Sequence, residues 1–291
     1  MLHEAGMPPQ SSIISAFFPF FRSTQEKIKT IAPFALRNHY KEMILRMKVV
    51  LKSAGPPFSS LTRKEIRLFS NSRFPEKQMA ALGGLGFIGR NTLLINKKYG
   101  SRGLLAGMII PLNLMGLQDE EFSERNSEMP QCGSCRLCEE ACPGGALKNH
   151  QLSRIDCLQH WTSSDGPVPE KLKNVWGQRM YGCTICQDVC PWNRSVPEGT
   201  RISTGLIDPI PNLKFYLSHS EKEIKESFRG TALGMSWFKS SHMIRNALLS
   251  AGSSGLEGRI DLIEAFTDSD DPAIRDAALW VLDRLRQDRE P

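Results

Sequence analysis

All eight cysteines of this 291-residue chain fall between Cys132 and Cys190. Cys132, Cys135, Cys138 and Cys142 form one run, with Pro143 directly after it. Cys183, Cys186 and Cys190 form a second, followed by Pro191, and Cys157 stands alone between them. Thiols at this density make the middle of the chain fold around what the sulfurs hold, because ligation and folding are one equilibrium in such a site. Zinc is the weaker reading, since consecutive two-residue gaps offer more thiolates than one tetrahedral ion takes. A disulfide framework is weaker again. The opening MLHEAGMPPQ holds no Lys or Arg, and the apolar stretch from Ile13 to Phe21 is short and interrupted by Pro19. The expectation is therefore a cytoplasmic chain with reduced thiols, no export signal and no membrane span.

The first run has the spacing C-x2-C-x2-C-x3-C-P of bacterial two-cluster ferredoxins, in which the fourth cysteine ligates the other cluster. The second run matches the last three positions of that pattern, and Cys157 is the one thiol left to complete it. Two 4Fe-4S clusters follow, one on Cys132, Cys135, Cys138 and Cys190, the other on Cys142, Cys157, Cys183 and Cys186. Each cysteine before a proline serves the far cluster, so the chain threads between them twice and forms a one-electron relay. His160 is expected beside a cluster or at the surface rather than as a ligand, and Trp192 as a shield from solvent.

Charge divides the chain unevenly. Residues 20 to 110 hold 17 basic and 4 acidic side chains, while the net charge of the whole is +6. The N-terminal part thus suits an anionic partner, RNA or a phosphate-bearing cofactor, although a solvated surface is the bland alternative. Apolar periodicity predicts a strand over Ile13 to Phe18, helices over Phe34 to Ala54 and Glu76 to Leu82, and strands over Thr92 to Ile95 and Leu104 to Ile110. A polar linker follows from Gln118 to Pro130. Helices are predicted over Glu221 to Phe228, His242 to Leu249, Gly258 to Phe266 and Ala273 to Leu285, the last capped by Asp271 with Pro272 in its first turn. The reading is a mixed α+β and α/β fold in three parts: an α/β domain over 1–116, a ferredoxin-like domain over 117–211 and a helical region over 212–291.

Gly84, Gly86 and Gly89 satisfy the dinucleotide fingerprint G-x-G-x-x-G, which needs a strand before it and a ribose-binding acid about twenty residues on. The preceding EKQMAAL is helical in pattern, and Arg90 to Gln118 contains no Asp or Glu. Nicotinamide binding is therefore disfavoured, and the glycines point to a tight turn or a close backbone approach.

G-L-G-F-I-G-R-N-T-L-L-I followed by G-S, the two cysteine runs, Y-G-C before the second run and W-N after it, R-G-T-A-L, I-R-N-A-L and D-P-x-I-R-x-A-A-L-W-V-L together resemble the epoxyqueuosine reductase family, from about Ile13 to Leu285. The resemblance implies reduction of the epoxide of epoxyqueuosine in tRNA with cobalamin and two 4Fe-4S clusters. It also implies an α/β cobalamin-binding domain, a ferredoxin-like domain and C-terminal helices of HEAT type. By the same resemblance Tyr40, Leu94 and Leu105 line the corrinoid, a flavodoxin or ferredoxin supplies electrons, tRNA is a partner, and the protein is a monomer.

Departures from the family pattern lie at the substrate end. Relatives usually carry some tens of residues before the first strand. The family's proton-donating Asp falls on Ser70, within Phe69-Ser70-Asn71-Ser72-Arg73, and a hydroxyl is far too weak an acid for that task. Thr184 replaces an acidic residue often found after the first cysteine of the second run. Two functions follow: a reductase of the epoxyqueuosine type, with the same or an altered substrate, or an iron-sulfur electron-transfer protein that keeps the scaffold without corrinoid-dependent catalysis.

Overall fold

The computed structural model describes residues 6–20, 30–114, 132–194, 213–253 and 260–287. Its contacts gather the chain into two units, each assembled from separated segments. Residues 1–21, 38–137 and 187–202 form the first; residues 22–37, 138–186 and 203–291 form the second. The cysteine region is divided between the two.

In the first unit β1 (Ser12–Pro19) and β2 (Arg67–Phe69) flank β5 (Gly103–Ile110), and both pair with it antiparallel. The sheet is thus of α+β type rather than the parallel sheet of an α/β fold. Helix α1 (His39–Ser53) covers one face with Met43, Met47 and Leu51, spaced one turn apart, packed on Ala106, Met108 and Ile110. Each such side chain stabilises the unit by about 1.5–3 kcal/mol. Helix α2 (Glu76–Leu82) covers the other face, where Met79 meets Phe69 and Ile109. Alternation along β5 decides which face each residue serves.

Helix α1 begins five residues later than its apolar pattern predicts. Asn38 caps it by accepting from Lys41 N, and a separate 3-10 turn spans Pro33–Ala35. The strand predicted over Thr92 to Ile95 shrinks to β4 (Leu94–Ile95), because Thr92 adopts φ +60. It pairs with β3 (Phe87–Ile88), which arises inside the glycine motif.

The second unit is mainly helical. A small hairpin of β6 (Leu147–Lys148) and β7 (Gln151–Leu152) precedes the single turns α3 (Leu158–Trp161) and α4 (Glu170–Lys173). Beyond lie α5 (Leu213–Ser218), α6 (Glu221–Ser227), α7 (Ser240–Ser253), α8 (Ile260–Glu264) and α9 (Pro272–Gln287). The predicted start of α9 holds, with Asp271 Oδ1 accepting from Ala273 N at 2.8 Å. Gly258 and Arg259, the predicted start of α8, lie outside the described residues. Trp176, Leu172, Tyr216, Phe228, Phe238 and Val281 are sealed in one core.

The I-R-N-A-L segment lies on α7 and ties that helix to the loop after α3. The fully buried Arg245 donates to the carbonyls of Ser164 at 2.6 Å, Gly166 at 3.0 Å and Trp161. Asn246 Nδ2 donates to Thr162 O and Met180 O, both at 2.8 Å. A buried guanidinium is tolerated because the carbonyl oxygens replace its water.

Candidate metal centre

Within the first unit, Cys132, Cys135 and Cys190 share one neighbourhood. Burial is the main cause pushing the Cys190 thiol up; the nearby sulfurs of Cys132 and Cys135 add to it, and the N–H groups of Trp192 and Asn193 oppose it. Arg90 N donates to Cys132 Sγ at 3.3 Å, and Cys135 N to Cys132 O at 3.0 Å. Phe87, Ile95 and Trp192 form the apolar wall around Cys132 and Cys190, with the rings of Phe87 and Trp192 edge-on at 5.6 Å. Trp192 thus stands where a shield would.

Two separated sequence signals prove to be one lock. Asn193, from W-N, accepts from Ser101 N at 2.8 Å and donates to Ser101 Oγ at 2.9 Å and Gln187 O at 2.6 Å. Gly100 in G-S turns at φ +59, and a Cβ there would stand 2.1 Å from Asn193 Oδ1. The glycine motif resolves the same way. A Cβ on Gly86 would lie 2.2 Å from Ile95 O, so the glycine permits the β3–β4 hairpin to close. The motif builds a wall beside cysteines, in place of a dinucleotide cradle.

The second unit holds Cys142, Cys157, Cys183 and Cys186, and Cys138 begins it, three residues beyond Cys135. Cys186 is pushed up to about 12, first by burial and then by the charges of Cys183, Cys157, Cys142 and Cys138. Burial raises Cys157 as well, against N–H donation from His160 and Gln159. Ala146 N donates to Cys142 Sγ at 3.3 Å, and Cys183 N donates to Gln159 Oε1 at 3.0 Å. Gly182 in Y-G-C has φ +86, and a Cβ there would meet the Ala32 Cβ at 2.4 Å. The His160 ring engages the Ser164 hydroxyl, at 3.1 Å from Nδ1.

None of the eight cysteines is in a disulfide. Thiols crowded as they are around Cys157, Cys186 and Cys190 are a poor arrangement unless a cationic group takes their protons' place. Backbone N–H groups aimed at sulfur suit a thiolate–iron group in the same way. No three His, Cys, Asp or Glu among the described residues converge tightly enough for a single metal ion. A tetrahedral zinc would need its thiolates about 2.3 Å from one point.

The residues at the substrate end are placed differently. Tyr40 packs with α1 and the even-numbered residues of β5, whereas Leu105, odd-numbered, lies on the opposite face by strand alternation. Leu94 is buried in β4. Ser70 Oγ donates to Leu105 O at 2.8 Å. The carboxylate of Glu76 accepts from Asn71 N at 3.1 Å, Ser72 N at 2.7 Å and Ser72 Oγ at 2.8 Å, which pins the loop that follows Ser70. That clamp was not foreseen in the sequence; the capping-like spacing of Ser72 and Glu76 was its one signal.

Residues 131–193 match the family model of the 4Fe-4S double cluster binding domain. The chain is 31% identical over 276 residues to an epoxyqueuosine reductase of Staphylococcus aureus, covering 87% of this chain and 68% of that protein. To the Bacillus subtilis enzyme it is 32% identical over 220 residues, covering 72% and 53% respectively. The chain thus spans about two thirds of the first relative and about half of the second. A crystal structure of selenomethionine-labelled epoxyqueuosine reductase superposes with TM-score 0.75 at 26% identity, over 95% of this chain and 74% of the other. An epoxyqueuosine reductase solved with an epoxyqueuosine-modified tRNA-Tyr stem loop gives TM-score 0.75 at 25% identity, over the same shares. The shared double-cluster domain, the identity and the common fold establish that this chain belongs to the epoxyqueuosine reductase family.

Proposed function

We propose that this chain reduces epoxyqueuosine in tRNA to queuosine, as an iron-sulfur oxidoreductase. The observation that carries the reading is the crowding of Cys132 and Cys135 about Cys190, and of Cys183, Cys157, Cys142 and Cys138 about Cys186, with N–H donors to sulfur in both places. Cys132, Cys135, Cys138 and Cys190 hold one 4Fe-4S cluster, and Cys142, Cys157, Cys183 and Cys186 the other. Removing an epoxide oxygen as water consumes two electrons and two protons, and clusters of this type, when bound, pass electrons singly. The chain's part is to keep the sulfurs dry and fixed: Trp192, Phe87 and Ile95 exclude water from one set, and the Gln159, Thr162 and Gly182 contacts hold the other.

The corrinoid belongs to the same proposal on the strength of the family. Tyr40 and Leu105, both half-buried, and Leu94 are its candidate contacts, and cobalamin supplies the strongly reducing centre when bound. Ser70, with its proton directed to Leu105 O, does not replace the family's acid. The basic N-terminal segment serves tRNA through its phosphates. The electron donor is a flavodoxin or ferredoxin, the protein is a cytoplasmic monomer, and α5 to α9 form a HEAT-type repeat. No helix among the described residues is long and apolar enough to cross a membrane.

Anaerobic reconstitution with iron, sulfide and cobalamin tests the reading. About eight irons per chain and a stoichiometric base-off cobalamin spectrum support it. Failure to bind cobalamin at any concentration defeats the corrinoid part, and absence of tRNA binding at low salt removes epoxyqueuosine in tRNA as substrate.

A further inference from the structure

We propose that Arg90 and Asn91, on the turn between β3 and β4, set the reduction potential of the cluster assigned to Cys132, Cys135, Cys138 and Cys190. The inference rests on the cluster assignment above, and the residues it adds, Arg90 and Asn91, belong to the first unit with Cys132 and Cys135. The turn is rigidly built: Gly89 N donates to Leu93 O and Thr92 N to Gly89 O, both at 2.9 Å. Thr92 is held at φ +60, an outlier for a β-branched residue, and Lys77 Nζ clamps its carbonyl at 2.7 Å. Strain of this kind persists where the surroundings over-determine it. Its result is that the Arg90 amide points at Cys132 Sγ.

Two further features belong to the same turn. The Arg90 guanidinium bonds Gly133 O at 3.2 Å, placing a permanent cation on the loop between Cys132 and Cys135. Asn91 is 3% exposed and spends its Oδ1 on Leu93 N at 3.2 Å, while its Nδ2, sealed from solvent, has no acceptor among the described residues. A buried donor is costly without an acceptor, and thiolate and sulfide sulfur are acceptors of the required kind one residue from Arg90's own contact. Reduction adds negative charge to a cluster. A fixed cation and donated N–H groups stabilise the reduced form and raise its potential.

The experiment is an EPR-monitored redox titration of the anaerobically reconstituted holoprotein, with iron assayed in parallel. Arg90→Gln lowers one of the two midpoint potentials by a tenfold change or more in the reduced-to-oxidised ratio, about 59 mV for a one-electron couple, with the other potential and the iron content unchanged. Arg90→Lys, which keeps the charge without the fork, falls between. Asn91→Leu lowers the same potential by a smaller step. Unchanged potentials with full iron in Arg90→Gln, equal shifts in both clusters, or iron loss in Arg90→Gln together with an unshifted Asn91→Leu would each overturn the inference. A wild-type chain that assembles no clusters would instead overturn the assignment on which it rests.

Discussion

Asn193 illustrates how a single side chain can carry a motif. Its amide satisfies Ser101 and the Gln187 carbonyl inside the protein, so Asn193→Ala leaves buried groups unpaired at about 1–3 kcal/mol each. Chemical denaturation should register a loss of about 3 kcal/mol. Cysteine replacements act on the metal instead: Cys186→Ser is expected to lose about half the iron, leaving the signal of the cluster assigned to Cys132, Cys135, Cys138 and Cys190. Iron analysis checks this, and loss of all iron would contradict two separable clusters. Sequence spacing made the double-cluster region legible, because the spacing within each cysteine run is local. The hydrogen-bond partner of Asn193 was not legible, since Ser101 lies far away along the chain and polarity alone does not say which amide is buried. Ser70 was readable only as a departure; that its hydroxyl is committed to Leu105 O needed the fold.

Helix α7 shows the same division between pattern and context. Periodicity located it, but could not disclose that Arg245 would be buried on three carbonyls. Arg245→Leu should cost about 3 kcal/mol or more, since several carbonyls lose their partner at once. One turn earlier, His242 Nε2 meets Asp165 at 2.9 Å, with Lys239 and Arg245 also facing it. Burial lowers its pKa, and Asp165 offsets this only in part. A histidine lowered on folding contributes stability that is fully present above its unfolded pKa of about 6.5 and is lost as pH falls through the folded value. Denaturation midpoints measured from pH 7.5 down to 5 should therefore fall less steeply for His242→Gln than for the wild type. The short elements β3 and β4 escaped full prediction for a physical reason: strands of two residues have no periodicity, and the hairpin depends on the close approach of Gly86, just before β3, to Ile95.

At the scale of the molecule, the proposed partner can be tested through charge. Binding of tRNA through the basic N-terminal segment should weaken steeply with salt, the logarithm of affinity falling linearly with the logarithm of salt concentration. Neutralising Lys48 and Lys52 together should flatten that slope by about 1–2 units if they contact phosphate, as read by filter binding across a salt series. The division into two units that share the cysteine region could not be read along the sequence, because Cys190 and W-N rejoin residues far upstream in the first unit. The most direct test of the whole account supplies reconstituted protein, cobalamin and a low-potential donor with tRNA carrying epoxyqueuosine, and follows the nucleoside by mass spectrometry. The account predicts loss of one oxygen to give queuosine; a cluster-replete, cobalamin-loaded, tRNA-binding protein that leaves epoxyqueuosine unchanged would contradict it.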